Sequence, residues 1–262
     1  MTEHGTEAAA AILWRNWNDE TRIAQLPDDC RPDSRAAGYA IQAALGRLVD
    51  QPVFGWKIAA TSQAGQQHIG VDGPIAGRLF AHRVLPAGAP VPLTPTTMKL
   101  AEAEFAFRMA RALPRREQPY ELAEIVAAIE TLHPAIEIPG SRYTEVARAG
   151  AAQLIADDAC ASWFILGEPA TENWRELDLV SHQVRATRNG EAAGAGSGAN
   201  VLGSPLLAMT WIANELRLHA DGLRAGDVIT TGTCLPPVPL APGDHIRMDF
   251  GILGALEARF SA

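Results

Sequence analysis

Glu102 and Glu104 stand two residues apart in Leu100-Ala101-Glu102-Ala103-Glu104-Phe105, inside an otherwise apolar run. In an extended strand, residues i and i+2 point the same way. Both carboxylates therefore share a face with Leu100, while Ala101, Ala103, Phe105 and Phe107 take the other. Two carboxylates so placed repel unless water or a cation separates them. The spacing alone admits two readings: the wet face of a half-exposed strand, or part of a metal site that needs a third acid. Glu137, in His133-Pro134-Ala135-Ile136-Glu137-Ile138-Pro139, can supply that acid. A carboxylate embedded among apolar residues needs a counter-charge, a hydrogen-bond network or a proton. Taken alone, Glu137 reads as half of a salt bridge, with Arg142 a candidate partner. Three glutamates on adjacent strands would form an all-oxygen site suited to Mg²⁺ or Mn²⁺. Lys57, in Phe54-Gly55-Trp56-Lys57-Ile58-Ala59-Ala60, also lies in a strand-like apolar run. Such a lysine usually snorkels to the surface; buried beside carboxylates it can hold an anionic substrate or carry a proton.

The totals bound what surrounds these residues. At 262 residues, with 47% hydrophobic and 20% charged residues, the chain can bury a full core. A net charge of −8 argues against nucleic-acid binding, which leaves a basic footprint. The amino terminus, MTEHGTEAAAAILW, lacks the basic segment of a signal peptide, and no stretch approaches a membrane span. Cys30, Cys160 and Cys234 are odd in number, far apart and without metal spacing, as in a reduced intracellular protein. A cytoplasmic protein without nucleic-acid or membrane partners is expected.

The elements that must position the acids alternate in texture. Residues 1–50 read as a helical N-terminal region: an Ala-rich helix over 6–25, then a helix capped by Asp33 or Ser34 with Ile41, Ala44, Leu45 and Leu48 on one stripe. Residues 51–262 read as one β-rich catalytic domain, with strands in VFGWKIAA, EAEF, AIEIP, ASWFIL, SHQVRATRNGE, DVITTG, HIRMDFG and LEARF. Helices are expected at PYELAEIVAAIETL (apolar at Leu122, Ile125, Val126 and Ile129), at TEVARAGAAQLIAD, and at SPLLAMTWIANELRL with Ser204 as N-cap and Pro205 first. Arg188-Asn189-Gly190-Glu191 reads as a hairpin turn. The expected class is α+β, with mixed sheet. Gly194-Ala195-Gly196-Ser197-Gly198-Ala199 formally satisfies G-x-G-x-x-A, but the following helix is opened by Ser204, so a dinucleotide site is rejected in favour of a tight loop near the substrate. The small turn Thr231-Gly232-Thr233, rich in backbone N–H groups, is a candidate carboxylate cradle.

The order GWKIA, GVDGP, EAEF, PAIEI, Gly-rich segment and TGT…PGD over residues 35–262 resembles the fumarylacetoacetate hydrolase superfamily. The resemblance is to the branch of 2-oxopent-4-enoate (2-hydroxypenta-2,4-dienoate) hydratases and 4-oxalocrotonate decarboxylases. It implies a mixed β-sheet roll, a homo-oligomer, a role in aromatic catabolism and a Mg²⁺ or Mn²⁺ held by Glu102, Glu104 and Glu137. Lys57 matches the family's active-site lysine. Lys57, Cys160, Thr231, Gly232 and Thr233 are the candidate substrate-binding residues. The implied reaction is addition of water to a 2-hydroxy-2,4-dienoate, a small 2-oxo/2-hydroxy dienoic acid, giving a 4-hydroxy-2-oxo acid. Decarboxylation of a 2-oxo-diacid uses the same ligands and is the alternative; a non-catalytic binding or partner subunit is the third reading. Acylpyruvate hydrolases, also related, often use a His–Glu pair near the amino-terminal part of the domain, and that part of this chain shows no convincing counterpart. Three departures from the pattern concern the acid/base set: Ile75 stands where many hydratases carry an aspartate, Asp158-Ala159-Cys160 replaces Asn-Ala-Ser, and Ser204 replaces a histidine.

Overall fold

The computed structural model describes residues 2–94 and 96–261. Helices α1 (Glu3–Asn18) and α2 (Arg35–Val49) open the chain, the side chains of Thr2 and Ser34 each accepting a backbone N–H from the first turn. Then come β1 (Val53–Ala59), α3 (Gln63–Ile69), β2 (Ile75–Phe80), β3 (Val84–Leu85), β4 (Pro90–Pro92), β5 (Leu100–Met109) and β6 (Leu113–Pro114). The middle of the chain supplies α4 (Leu122–Ala128), β7 (Ile129–Ile138), α5 (Val146–Ala149), α6 (Ala151–Ala156), β8 (Trp163–Leu166), β9 (Gln183–Arg188) and β10 (Glu191–Ser197). The last part holds α7 (Pro205–His219), β11 (Gly222–Leu223), β12 (Val228–Thr233), β13 (Val238–Pro239), β14 (His245–Asp249) and β15 (Ala255–Ser261).

The principal sheet runs β2-β1-β12-β5-β7-β8-β3, with β13 also paired to β5. It is mixed: β1 lies parallel to β12 and β3 parallel to β8, and the other pairings are antiparallel. A second sheet, β10-β9-β14-β15-β4, faces it. The alternation of β5 decides which side of the strand meets that second sheet. Phe105 packs edge-on against Phe250 (ring centroids 5.5 Å apart) and His182 (6.0 Å), while Phe107 meets Trp174 at 5.5 Å. Burying these rings commits Glu102 and Glu104 to the opposite face. Buried residues of α1 and α2, such as Leu13, Trp17, Ile41 and Leu45, belong to the same continuous core as the sheet. Among the described residues no helix is long and apolar enough to cross a membrane.

Three local expectations need correcting, and one helix has no counterpart in the sequence reading. The helix expected over 119–132 ends at Ala128, and Ile129 begins β7, because the ladder between β5 and β7 extends to Met109 opposite Ile129. Strand pairing there outweighs the helical stripe. The helix expected over 144–157 is broken into α5 and α6 at Gly150, whose φ is +78°. The Gly-rich segment is not one loop: residues 194–197 complete β10, paired with β9 from Arg188 opposite Glu191 onward, and Gly198 opens a short 3-10 turn. Helix α3 was not expected at all. Ser62 caps it and Gly70 ends it with φ +70°, but SQAGQQHI carries no apolar stripe for periodicity to detect.

Candidate active site

Four neighbouring strands converge on one patch of the principal sheet. Glu102 of β5 lies directly opposite Glu137 of β7, Thr233 of β12 opposite Glu104, and Lys57 of β1 opposite Thr230 of β12. Each of Glu102, Glu104 and Glu137 brings a carboxylate oxygen within 4.8 Å of the others. Glu104 and Glu137 are fully buried, while Glu102 keeps some exposure and marks the open side. Lys57, also buried, places Nζ 3.3 Å from Glu137 Oε1 and donates to the carbonyl oxygen of Ala159 at 3.0 Å. The ion pair of Glu137 is therefore with Lys57; Arg142, its candidate partner in sequence, is committed to Asp157.

Glu104 is held from one side only. Between Thr230 and Thr233, β12 carries two residues where β5 carries one, a bulge that swings the Gly232 N–H inward. Glu104 Oε2 accepts that N–H at 2.7 Å and also the Thr230 hydroxyl. Gly232 adopts φ +97°, and a Cβ there would strike Thr61 Oγ1 at 2.1 Å, so only glycine fits. Glu104 Oε1 and both oxygens of Glu137 are buried without a hydrogen-bond partner.

Three carboxylates around one ammonium cannot all be ionised without further positive charge. Burial, and then the charge of Glu102, push Glu104 up to about 8. Burial likewise raises Glu137 well above the usual carboxylate range, and Glu102 as well, against the pull of Lys57. Burial works against the Lys57 ammonium, but Glu137, Glu102 and Glu104 outweigh it and hold it protonated. Orphaned buried oxygens in an all-oxygen donor set are what a hard divalent cation satisfies, so the residues present fit such an ion.

The other candidate residues fall into two groups. Cys160 is buried close enough to Lys57 for each to feel the other, and burial pushes its thiol up to about 12, so it is neither nucleophile nor base. The turn expected to cradle a substrate carboxylate is largely spent on the protein itself. Thr231 donates its hydroxyl to Phe105 O at 2.9 Å, Thr233 donates to Leu235 O at 2.7 Å, and the Gly232 N–H serves Glu104. Sequence reasoning missed Thr230 and the Ala159 carbonyl. The position of Thr230 two residues before Gly232 in DVITTGT, hence on the same face of a strand, was the available signal for the first; a backbone carbonyl leaves none.

The fumarylacetoacetate (FAA) hydrolase C-terminal family matches residues 60–261. The chain belongs to this family. Across its whole length it is 31% identical to a 2-keto-4-pentenoate hydratase of Paraburkholderia xenovorans, of which the match covers 97%. Its fold superposes on 4-oxalocrotonate decarboxylase from Pseudomonas putida G7 complexed with magnesium and adipate, with a TM-score of 0.90, 29% identity and coverage of 99% and 98% of the two chains. The form of that decarboxylase complexed with calcium and acetate gives a TM-score of 0.88 at 30% identity. Of the residues flagged for the acid/base set, Ile75 is fully buried, Asp72 is exposed, and the Asp158 carboxylate is engaged by the Arg78 N–H at 2.6 Å.

Proposed function

We propose that this fumarylacetoacetate hydrolase family member is a divalent-metal-dependent lyase that hydrates a 2-hydroxy-2,4-dienoate to a 4-hydroxy-2-oxo acid. The observation that carries the reading is the convergence of three glutamates, two of them fully buried and with orphaned oxygens, beside a buried lysine, in a chain related over its full length to a hydratase. Glu102, Glu104 and Glu137 would hold the ion, Mg²⁺ or Mn²⁺ by the hardness of their oxygens. When bound, the cation supplies Lewis-acid polarisation of the substrate's 2-oxygen and charge for its carboxylate.

The chain's own residues do the rest. Thr230 and the Gly232 N–H fix one oxygen of Glu104, which orients the other toward the cluster. Lys57 Nζ, kept as an ammonium by its carboxylate neighbours, stabilises negative charge developing on the dienol oxygen and can deliver a proton. Protonation at C5 moves the unsaturation to C3–C4; water then adds its hydroxyl to C4 and a proton to C3. Cys160 lines this ammonium with a neutral thiol. The homo-oligomeric state is part of the same reading and rests on the family resemblance; sedimentation velocity tests it.

A second reading is favoured by the fold match to the decarboxylase: the same lysine and glutamates would stabilise the dienolate left when CO₂ departs from a 2-oxo-diacid. Incubation of the protein and Mg²⁺ with 2-hydroxypenta-2,4-dienoate separates the two. Loss of dienol absorbance with formation of 4-hydroxy-2-oxopentanoate supports hydration. No change with that substrate, but CO₂ release from 4-oxalocrotonate, supports decarboxylation.

A further inference from the structure

Lys57 is oriented by an unusual piece of backbone. Asp158, Ala159 and Cys160 are three consecutive non-glycine residues in the left-handed region, with φ of +55°, +50° and +61°. Their surroundings hold them there. Arg142 donates Nη1 to Ala161 O at 3.0 Å and Nη2 to Asp157 O, gripping the carbonyls on both sides of the trio. Underneath, Gly77 of β2 lets the loop approach: a Cβ at that position would lie 2.0 Å from Asp158 O. The one side chain of the trio that anchors it is Asp158. It is fully buried, and its Oδ1 accepts the Arg78 N–H of β2, leaving Oδ2 without a partner. The arrangement places the Ala159 carbonyl where Lys57 Nζ donates to it at 3.0 Å.

We infer that Asp158 is a positioning residue for the reaction: by tying the left-handed loop to β2 through the Arg78 N–H, it sets the Ala159 carbonyl and so aims the Lys57 ammonium. The inference rests on Lys57 serving the proposed lyase reaction. Asparagine supplies the same side-chain acceptor and tolerates the left-handed conformation, alanine supplies neither, and glycine restores the conformation without the acceptor. Misplacement of a reacting group by about 1 Å can cost about 10²-fold in rate.

The test is steady-state kinetics on the full chain with Mg²⁺ and 2-hydroxypenta-2,4-dienoate, together with Mg²⁺ affinity by calorimetry, for wild type, Lys57→Met, Asp158→Asn, Asp158→Ala and Asp158→Gly. The expected result is a kcat lowered about 10- to 100-fold in Asp158→Ala, a smaller loss in Asp158→Gly and near-complete rescue in Asp158→Asn, with KM and Mg²⁺ affinity within about threefold of wild type throughout. Should Asp158→Ala fail to fold, the Gly and Asn variants carry the comparison. Wild-type kcat in both Asp158→Ala and Asp158→Gly overturns the inference. So does a loss in Asp158→Asn as large as in Asp158→Ala, which would make the acidic proton rather than the geometry the active feature. Absence of turnover in wild type, or undiminished turnover in Lys57→Met, instead overturns the function on which the inference depends.

Discussion

Two buried charged clusters lie close together in this protein, and they are built on opposite terms. In one, Arg142 meets Asp157 through its Nε while Ser141 Oγ donates to the second carboxylate oxygen at 2.7 Å and three of the four remaining guanidinium protons go to carbonyls of Gly140, Ala161 and Asp157. The charges balance one to one, and the face of the guanidinium is covered by the Trp17 ring at 4.2 Å. Burial pushes the Asp157 carboxyl up and Arg142 pulls it back down. In the other, three carboxylates face one ammonium and three of their buried oxygens accept no hydrogen bond. A closed cluster needs nothing from outside. An open one holds a standing requirement for positive charge, and that requirement distinguishes a binding site from a structural ion pair.

The largest effect should come from the open cluster. Glu137→Gln removes one ligand and one charge, and is expected to weaken Mg²⁺ affinity by more than the ~10- to 100-fold typical of partners in the outer shell. The same change should leave the metal-free protein about as stable as wild type, because the carboxylate repulsion it relieves offsets the loss of the Lys57 pair, and Glu102 and Glu104 still face the ammonium. Calorimetric titration and thermal melts in chelator check both halves; a destabilised Glu137→Gln would contradict the contrast. Lys57→Met should lower turnover about 10²- to 10⁴-fold while Mg²⁺ affinity is kept or improved, since a neighbouring cation has gone. Wild-type kinetics in that variant would reduce Lys57 to a structural residue.

The closed cluster should respond in the reverse way. Arg142→Met strands the buried Asp157 carboxylate and is expected to cost about 3–5 kcal/mol of stability, read from denaturant unfolding. Stability unchanged in this variant would mean that the pair is not the closed unit described.

A smaller effect is the pH dependence of the metal-free protein. Glu104 is raised from the ordinary carboxylate range to about 8, and Glu137 and Glu102 are raised too. Groups whose folded-state values are raised stabilise at low pH, and that contribution is lost as pH climbs. Between about pH 5 and 8, the melting temperature in chelator should therefore fall, and Mg²⁺ should restore more of it at pH 8 than at pH 6. A melting temperature that rises over this range would show that the carboxylates ionise freely.

Much of this was legible in the amino-acid order because it follows local rules. Period-two alternation put Glu102 and Glu104 on one face, and Ser204-Pro205 marked the start of α7, which the structure places at Pro205. The α+β class and the family were readable from the order of motifs along most of the chain. What was not legible depends on neighbours distant in sequence. Ile129 joins a strand because Met109 waits opposite it, and GAGS (194–197) extends because β9 offers an edge. The partners of Thr231 and Thr233 are backbone carbonyls of Phe105 and Leu235, so two hydroxyls that read as ligand donors from sequence are already occupied. Asp158 stands out in the sequence only as part of the departure from Asn-Ala-Ser; its bond to the Arg78 N–H, which points to an anchoring role, comes from a strand eighty residues away.

The central claim is that the orphaned oxygens of Glu104 and Glu137, with Glu102, take up one divalent cation. Titration of the chelator-stripped protein with Mg²⁺ by isothermal calorimetry, in two buffers of different ionisation enthalpy, tests it most directly. The account predicts one ion per chain, with proton release below about pH 8 as Glu104 ionises, and loss of the binding isotherm in Glu104→Gln. An isotherm of the same stoichiometry and affinity in Glu104→Gln, or no saturable heat in wild type with Mg²⁺ or Mn²⁺, would contradict it.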